Sequence, residues 1–556
     1  MRTYLIASAL IFGHGFAGAQ TVQWMHDAGS TPFSANERGD AVDADTDGNA
    51  YVLGHLAIDS QFSGLAVVAA EDGCLAKYNA AGVVQWVRTF GGPGFVDMQE
   101  MAVKVSTVDN AVYVCGAFRT QFANPTVTFD TIAFTFAGNS RHALLAKYDL
   151  DGNIQWMRHG GGTGLGAVYN DLDIDAQGRI VVVGTTDGTN VFDGQSLTYD
   201  GGIIARYLSD GTLADLVQLN DTSAEHQEAV AVEVAPTTGN IYIGGAFFGA
   251  IALGGFSAAS VPFSICALKL DDALNCQWLS TGGGNSATYG SFLQGLALDA
   301  AENSYMTGEA SGNTVSFGPH TFTGSSEADD AVIVVKLNAA GDPQWLKHGG
   351  SIRNDEALDI IADAQGNTVI TGLLGGNVAF AEFDGIQVDI VSQSAHCFIA
   401  RYDPDGVIVY AERMGGGSDD AGAGLALAND STLYLTGTTW GSTPWLNWDF
   451  QSCCLDPNLF ITKLHDVFND LGTGTSPVSF NAGVISVFPN PVTDQLTVRG
   501  LPAAATCTII DGRGRIMEQG RSITTMDASS WAAGPYVLRT AGANGNSTSA
   551  RFVVVH

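Results

Sequence analysis

The chain has 556 residues, of which 57 are acidic and 24 are basic, so its formal net charge is −33. Such a surface repels anionic membranes and nucleic acid. We exclude nucleic acid as a partner, because phosphate binding needs clustered Lys and Arg. Apolar residues make up 46% of the chain and 69 residues are glycine. This composition fits short strands and tight turns around a large core and excludes a disordered chain.

The N-terminus has the pattern of a secretory signal peptide. Met1-Arg2 is followed by an apolar stretch from Leu5 to Phe12 and by Ala17-Gly18-Ala19. We predict a signal peptide over residues 1–19, cleaved before Gln20. The rest of the chain has no run of roughly 18 apolar residues, the length of a membrane helix, so we expect an exported protein with no membrane insertion after cleavage.

Between Trp24 and Lys463 the chain repeats a unit of about 64 residues seven times, a period that indicates a solenoid, a propeller or an array. Each copy has a glycine after a strand-like run and then a basic residue. In the first six copies an aromatic residue or Asp215 follows nine residues further on. The glycines are Gly54, Gly116, Gly184, Gly245, Gly308, Gly372 and Gly437. The basic residues are Lys77, Lys147, Arg206, Lys269, Lys336, Arg401 and Lys463. The aromatic residues are Trp86, Trp156, Trp278, Trp345 and Tyr410, with Trp24 in the corresponding place of the seventh copy.

Each copy contains two pairs of β-rich runs joined by short turns. In the first copy, Ala41 to Asp45 and Ala50 to Leu53 flank Asp47-Gly48-Asn49, and a second pair flanks Ala80-Ala81-Gly82. This is the pattern of β-hairpins, and four strands make one propeller blade. We therefore predict an all-β fold.

The two ends of the repeat region predict how the blades close. The N-terminus supplies only a fourth strand, Thr21 to His26, and the last copy stops after its third, Leu459 to Leu464. Pairing these strands removes the open sheet edges, which predicts a closed seven-bladed β-propeller over residues 20–466. Because Asp215 interrupts the aromatic pattern, we expect its blade to pack less well or to slip its outer strand.

Residues 21–465, with seven copies that agree in order and spacing, resemble the propeller repeats often called SBBP repeats in bacterial surface and secreted proteins. Residues present in every copy serve the scaffold, including the Trp residues, which suit packing between blades, and the basic residues, whose stems can cover them. His159 and His348 occupy one such framework position. The resemblance does not predict an activity, because one scaffold hosts varied roles.

Ligand recognition is expected where the copies differ. The segment from glycine to basic residue varies from 22 to 31 residues, and these connections project on one face, beside the channel mouth. The least repeat-like segment there contains Trp440, Trp445 and Trp448, which we take as candidate ligand-binding residues because exposed aromatics stack on sugars or anchor proteins. The alternative is that they cover the closing blade or contact the C-terminal domain.

Asp43-Ala44-Asp45-Thr46-Asp47-Gly48 matches the opening of an EF-hand calcium loop, but its twelfth position is Gly54 instead of a bidentate Glu. Asp173 to Gly178 repeats the pattern in part. We predict turns in which Asp side chains bond their own backbone, and no metal or cofactor site.

Sequence motifs of catalysis are missing, including Gly-x-Ser-x-Gly, His-Glu-x-x-His and Cys-x-x-Cys. A carboxylate pair assembled in the channel from different blades stays open. Three or more Asp, Glu or His side chains converging there would favour an enzyme, and an exposed Trp patch would favour binding. The eight cysteines do not follow the repeat; Cys453-Cys454 either pair with each other or stay free.

The composition changes after Lys463. Residues 467–483 have the composition of a linker, and residues 484–556 contain alternating runs such as Gln495 to Val498 and Thr506 to Ile510. The pattern predicts a small Ig-like β-sandwich.

Four segments of this tail match one family in order. They are Phe488-Pro489-Asn490-Pro491, Ile510 to Gly514, Ala533 to Val537 and Phe552 to Val555. Together they resemble the type A C-terminal sorting domain of the type IX secretion system of Bacteroidota. The resemblance implies that the type IX secretion machinery is a partner, that Phe488 to Pro491 act as a sorting motif, and that the tail is usually removed with release or attachment to the surface.

We predict a secreted or outer-membrane-attached, non-enzymatic propeller for adhesion or binding of a glycan or protein ligand. The alternatives are a carbohydrate-active or other hydrolytic enzyme at the channel mouth and a structural surface-layer component.

Overall fold

The computed structural model describes residues 21–554 except for 30–36, 57–59, 63–64, 67–71, 93–95, 121–125, 136–139, 199, 220–226, 287–288, 325–329, 391, 416–418, 430–431, 441–443, 446–447, 450–456, 466–485, 489–494, 500–505, 512–515, 522–524, 532–533 and 542–546. All regular structure in these ranges is β-strand, and they include no helix that could span a membrane. Residues 20–469 form one compact unit, and residues 470–556 fall in another. The predicted signal peptide lies outside the described residues.

The strands of the first unit follow the repeat. The strands up to the second copy are β1 (Thr21–Gly29), β2 (Arg38–Ala44), β3 (Ala50–Leu56), β4 (Gln61–Phe62), β5 (Leu65–Ala66), β6 (Asp72–Tyr78), β7 (Val84–Gly91), β8 (Val96–Ser106), β9 (Ala111–Thr120), β10 (Thr126–Phe129), β11 (Ile132–Thr135), β12 (His142–Asp149) and β13 (Ile154–Gly162). The third and fourth copies form β14 (Gly166–Ile174), β15 (Ile180–Asp187), β16 (Asn190–Phe192), β17 (Gln195–Leu197), β18 (Gly201–Tyr207), β19 (Leu213–Gln218), β20 (Gln227–Val234), β21 (Ile241–Leu253), β22 (Phe256–Leu270) and β23 (Cys276–Gly284).

The remaining copies continue the same order. They form β24 (Ser291–Leu298), β25 (Ser304–Ser311), β26 (Val315–Phe317), β27 (His320–Phe322), β28 (Asp330–Leu337), β29 (Pro343–Gly350), β30 (Glu356–Ala362), β31 (Thr368–Leu374), β32 (Phe380–Phe383), β33 (Ile386–Asp389), β34 (His396–Tyr402), β35 (Ile408–Met414), β36 (Ala421–Asn429), β37 (Thr432–Trp440), β38 (Pro444–Trp445), β39 (Trp448–Asp449) and β40 (Pro457–His465).

These strands build seven antiparallel sheets with four core strands each. In order of their inner strands they are sheet 1 (β2-β3-β6-β7), sheet 2 (β8-β9-β12-β13), sheet 3 (β14-β15-β18-β19), sheet 4 (β20-β21-β22-β23), sheet 5 (β24-β25-β28-β29), sheet 6 (β30-β31-β34-β35) and sheet 7 (β36-β37-β40-β1). Each inner strand contacts the inner strand of the next sheet, and β36 of sheet 7 contacts β2 of sheet 1. The inner strands therefore succeed one another in a cycle.

Sheet 7 is made from both ends of the unit, as predicted. β1 pairs antiparallel with β40, with Thr21 opposite His465 and Ala28 opposite Leu459. Val22 and Met25 are buried in a core with Leu464 from β40. The pairing of Thr21 to His26 with Leu459 to Leu464 that the sequence predicts is therefore present.

The repeated glycine is explained by an irregularity in the inner strands. All seven inner strands carry extra residues, as in a β-bulge, and in six of them the glycine faces the residue that precedes the bulge. A side chain at Gly184 would overlap the carbonyl oxygen of Val168, and one at Gly372 would overlap that of Glu356. Only glycine lets the second strand approach the bulged strand this closely.

Five variable connections form hairpins that fasten one sheet to the next, a role the sequence analysis did not anticipate. The hairpins β4-β5, β10-β11, β16-β17, β26-β27 and β32-β33 each pair with the end of the fourth strand of the preceding sheet. His159 lies 5.1 Å from the ring of Phe134 in β11, and His348 stacks at 4.2 Å on Phe322 in β27. The framework position of both histidines thus supports these hairpins.

A repeated clasp joins five of the seven sheets to their successors. The Trp indole nitrogen and the Lys ammonium of one sheet both donate to one backbone carbonyl in the last turn of the next sheet. The clasps, each written as Trp and Lys to the accepting residue, are Trp24 and Lys463 to Ala80, Trp86 and Lys77 to Leu150, Trp156 and Lys147 to Ser209, Trp278 and Lys269 to Ala339, and Trp345 and Lys336 to Pro404.

The expectation that the outer strand of sheet 3 slips at Asp215 is wrong. Asp215 faces Arg206 in the register that Trp156 and Lys147 have in sheet 2. Arg206 donates to the Asp272 carbonyl in the next turn at 2.7 Å and to the Asp215 carboxylate at 2.8 Å. The guanidinium has enough donors to replace both members of the clasp, so the strand keeps its place.

The second unit contains two small sheets. Its strands are β41 (Ser486–Phe488), β42 (Gln495–Arg499), β43 (Thr506–Asp511), β44 (Ile516–Arg521), β45 (Thr525–Asp527), β46 (Gly534–Ala541) and β47 (Ser547–Val554). The sheets β41-β42-β45 and β44-β43-β46-β47 share one hydrophobic core that includes Leu496, Ile509 and Leu538.

Candidate functional site: the central channel

The inner strands of all seven sheets line a cavity of about 900 Å³. At the first residue after a bulge or two positions later, the inner strands place five charged residues on the cavity wall, namely Asp43, Lys104, Asp171, Glu233 and Asp359. The residue between these two positions is buried in the core in every inner strand. The buried set is Val42, Val103, Leu172, Val232, Leu296, Ile360 and Leu425. Strand alternation therefore determines which side chains enter the channel.

Aspartates on the channel side join neighbouring inner strands. Asp43 accepts a hydrogen bond from the Val105 backbone nitrogen at 2.7 Å, and Asp173 accepts one from Val234 at 2.7 Å. Asp171 bonds Val232 at 2.8 Å, and Asp359 bonds Leu425 at 2.7 Å. The inner strand is a sheet edge, so these carboxylates satisfy backbone donors that no further strand reaches.

One lysine lies among the channel carboxylates. Lys104 Nζ is 3.1 Å from Asp173 and 3.9 Å from Glu233. Burial alone lowers the pKa of Lys104, but attraction to Asp173, Glu233 and Asp43 raises it well above its ordinary value. Burial raises the pKa of Glu233 well above its ordinary range and raises the pKa values of Asp171 and Asp359 to about 7. The channel thus holds a charged lysine beside carboxyl groups that resist ionisation.

A second polar group lies on the channel wall at the bulge of sheet 1. Asp40 accepts hydrogen bonds from Arg38 Nε and from His55 Nδ1, both at 2.8 Å. Burial opposes ionisation, but His55 and Arg38 together hold the pKa of Asp40 below its usual value. Neither this group nor the Lys104 group was predicted from the repeat, because neither Asp40 nor Lys104 recurs in the other copies.

The calcium-like loops are turns, as predicted. Asp45 accepts bonds from the backbone nitrogens of Asp47 and Asn49, and Asp175 from those of Gln177 and Arg179. Asp43 points to the neighbouring inner strand and takes no part in the turn. Among the described residues no three His, Cys, Asp or Glu side chains are arranged to hold a metal ion. Cys74, Cys115, Cys266 and Cys397 are buried thiols without a disulfide, and Cys453-Cys454 lie outside the described residues.

The structure places the tryptophan segment at the end of sheet 7. Trp440 ends β37, its side chain is 38% exposed, and its backbone nitrogen donates to Asp420 at 3.0 Å. Trp445 and Trp448 face each other across the hairpin β38-β39; their side chains lie outside the description. Within the described residues this hairpin pairs with none of the seven sheets, unlike the five hairpins that pair with the fourth strand of a preceding sheet.

Residues 486–555 match the family of secretion system C-terminal sorting domains. This match shows that the chain is exported by type IX secretion to the cell surface or the extracellular space. Of the predicted sorting motif, Phe488 ends β41, and Pro489, Asn490 and Pro491 lie outside the described residues.

No curated protein matches the chain. Solved structures with partial similarity include PorZ, an essential surface component of the type IX secretion system of Porphyromonas gingivalis, at 13% identity and a TM-score of 0.28, covering 96% of this chain and 75% of that one. A Dyadobacter fermentans protein of unknown function has 7% identity and a TM-score of 0.35, and the match covers 68% of this chain and 98% of that one. A variant of the NanB sialidase of Streptococcus pneumoniae has 8% identity and a TM-score of 0.35, and the match covers 82% of this chain and 70% of that one. At these TM-scores the similarities support no argument about function.

Proposed function

We propose that the protein is a binding or adhesion protein in which the seven sheets are the blades of one closed propeller of the SBBP type. In this proposal residues 1–19 are a signal peptide, residues 467–483 are a linker, and the Ig-like tail from residue 484 delivers the propeller through the type IX machinery. The ligand is a glycan or a protein bound beside Trp440, Trp445 and Trp448.

The hairpin that carries Trp445 and Trp448 supports this proposal. Five corresponding connections are used to fasten neighbouring sheets, whereas β38-β39 has no strand partner in them within the described part of the chain. Trp440 ends the strand that leads into this hairpin; the residue is 38% exposed, and Asp420 holds its backbone nitrogen. Tryptophan and tyrosine side chains supply a large contact area at little cost in conformational entropy, which suits them to binding a partner.

A glycan array and a panel of extracellular proteins, probed with residues 20–556, test the proposal. Binding should fall at least about tenfold in each of Trp440→Ala, Trp445→Ala and Trp448→Ala, the usual effect of removing an aromatic anchor. Phe380→Ala, which removes a ring that is 42% exposed on β32, is the matched control and should bind normally. Binding that all four variants retain equally would reject this site.

The channel favours a second candidate function, a hydrolase. Asp173 and Glu233 converge on Lys104, and burial keeps Glu233 protonated beyond its usual range, as a general acid requires. Four aspartates of the inner strands, however, already accept backbone hydrogen bonds from the next sheet. Glu233→Gln should abolish hydrolysis of a glycan substrate if the enzyme hypothesis holds, and binding without turnover in both proteins would reject it.

A further inference from the structure

A row of aromatic rings crosses from sheet 4 to sheet 5, at positions that the repeat does not share. Phe248 lies 5.5 Å from Phe263, and Phe263 lies 5.4 Å from Phe292, between ring centroids. Phe248 is 39% exposed, and Tyr289 beside Gly290 is 47% exposed. We call Phe248, Phe263, Tyr289 and Phe292 the aromatic patch.

The chain makes room for this row at Gly290. A side chain there would lie 2.8 Å from atoms of both Phe263 and Phe292. Such a distance is shorter than a van der Waals contact between carbon atoms, so a larger residue would push the rings apart. The glycine therefore allows the two sheets to present their rings together.

Carboxylates adjoin the aromatic patch. Glu309 on β25 is the direct cross-strand partner of Phe292, so the two side chains leave the sheet on the same face. Burial, followed by repulsion from Glu356 and then Asp330, raises the pKa of Glu309 to about 8. Glu356 accepts a hydrogen bond from Gln294 at 2.9 Å, and Asp330 accepts one from Ser311.

The described residues supply no positive partner for these groups, since Glu309, Asp330 and Glu356 take part in none of their ion pairs. Elsewhere the chain does place cations beside such carboxylates: Lys104 faces Asp173, and Lys269 faces Glu302 at 3.1 Å. A partly exposed aromatic row next to carboxylates that repel one another is complementary to a cation from outside. Rings attract a cation through their faces, and the carboxylates gain an opposite charge.

We propose that the aromatic patch and Glu309 bind a basic segment of a protein partner, with a Lys or Arg side chain lying over the rings and its charge directed to Glu309 and Glu356. The formal net charge of −33 attracts such a segment from a distance. This surface uses sheets 4 to 6, so it is independent of the ligand site proposed at Trp440.

Fluorescence anisotropy of a labelled tetra-arginine peptide with residues 20–556 at low salt tests the proposal. Phe248→Ala, Tyr289→Ala and Glu309→Gln should each weaken binding by about three- to tenfold, the range of a cation–π contact or one charge. Phe380→Ala, an exposed ring on β32, and Glu412→Gln, a half-buried carboxyl on β35, are matched controls and should change it less than about twofold. Thermal melting checks that every variant folds.

A tetra-citrulline peptide, which keeps the shape and loses the charge, should not bind. Equal binding of both peptides, or equal weakening by the test and control variants, would overturn the proposal. The proposal would also be overturned by a glycan that binds at the patch. In that case Phe248→Ala would abolish glycan binding, and tetra-arginine would not compete with the glycan. Trp440→Ala should leave peptide binding unchanged, so failure here and failure of the proposed ligand site give different results.

Discussion

In the first unit, five sheets contact the next sheet through a lysine and a tryptophan, whereas sheets 3 and 6 have an arginine in place of the lysine. In the five, a lysine nitrogen lies 4.9–5.8 Å above a tyrosine ring and shares a carbonyl of the next sheet with a tryptophan. In sheets 3 and 6 the basic residue is Arg206 or Arg401, and Val181 or Val369 replaces the tyrosine in the register. Where arginine replaces lysine on the third strand of a sheet, valine therefore replaces tyrosine at the facing position of the second strand.

The next sheet explains why the aromatic residue changes. Arg206 makes the contact to sheet 4 by itself, which frees position 215 for a carboxylate. Sheet 6 precedes sheet 7, whose third and fourth strands come from opposite ends of the unit and are not joined by a turn. Tyr410, in the aromatic position of sheet 6, therefore has no turn carbonyl to reach. The repeated tryptophan is therefore found where the next sheet has a turn whose backbone carbonyl the indole nitrogen reaches.

The turn glycines follow the same rule. Gly152, with φ of 79°, would place a side chain 2.8 Å from Trp86, and Gly341 makes the same approach to Trp278 at 2.6 Å. The turn of sheet 4, which faces Asp215 instead of a tryptophan, has Leu274 at the corresponding position with φ of 64°. Glycine is therefore needed where the tryptophan of the preceding sheet lies against the turn.

Deletion of residues 21–29 should have the largest effect, because it removes the fourth strand of sheet 7 and the clasp of Trp24. Loss of the buried Val22, Trp24 and Met25 side chains should lower the free energy of unfolding by about 5 kcal/mol or more. Urea denaturation measures this, and a synthetic peptide of residues 21–29 should restore the midpoint in trans. An unchanged midpoint in the deleted protein would contradict the closure.

Breaking one clasp should cost less than deleting the strand. Trp278→Ala should lower the free energy of unfolding by about 3 kcal/mol, since it removes a buried ring and its hydrogen bond. Asp215→Ala should cost about 1.5 kcal/mol, because Arg206 loses a charged partner but keeps its bond to Asp272. Equal costs in thermal and urea denaturation would show that the two joints do not differ.

Substitutions at the positive-φ position of the turn should have different effects where a tryptophan lies against the turn and where none does. Gly152→Ala should lower the free energy of unfolding by about 2 kcal/mol, because alanine is strained at this positive φ and its Cβ meets Trp86. Leu274→Gly should remain within about 1 kcal/mol of the parent, since relief of the same strain offsets the lost side chain. A cost for Leu274→Gly as large as that of Gly152→Ala would refute the coupling of glycine to tryptophan.

The last prediction is a pH dependence of the channel contact between sheets 6 and 7. Burial raises the pKa of Asp359 from 3.8 to about 7, so the folded state keeps a proton that the unfolded state releases. The contribution of this group to stability therefore falls as pH rises from about 4 to about 7. Asp359→Asn should flatten the slope of urea midpoint against pH in this range. Asp405→Asn, in an exposed turn, should leave the slope unchanged; equal slopes in all three proteins would contradict the assignment.

The repeat allowed much of the first unit to be predicted. Four strands per copy, the pairing of β1 with β40 and the scaffold role of the Lys and Trp positions all follow from period and chain order. The bulge opposite Gly184 and the edge hairpins were not foreseen, because the first depends on a backbone approach and the second lie in connections of variable length. The expected slip at Asp215 was wrong, since a guanidinium reaching the next sheet is invisible in a single copy.

The candidate sites were harder to predict. Lys104, Asp173 and Glu233 occupy the same position of three different copies, and an alignment of the inner strands on their bulges would have brought them together. Within the aromatic patch, Phe248 and Phe263 of sheet 4 meet Phe292 of sheet 5, at positions the repeat does not share. Only the packing of two sheets shows that these rings meet.

Closure by β1 is tested most directly by a disulfide between Met25→Cys and Thr462→Cys, which are register partners across β1 and β40. Antiparallel partners lie within disulfide reach, whereas Thr436→Cys on β37, one strand beyond β40, lies too far from position 25. After mild oxidation, mass spectrometry should find the 25–462 bond and no 25–436 bond in the control protein. A free thiol at position 25 in the folded 25–462 variant would contradict the closed ring.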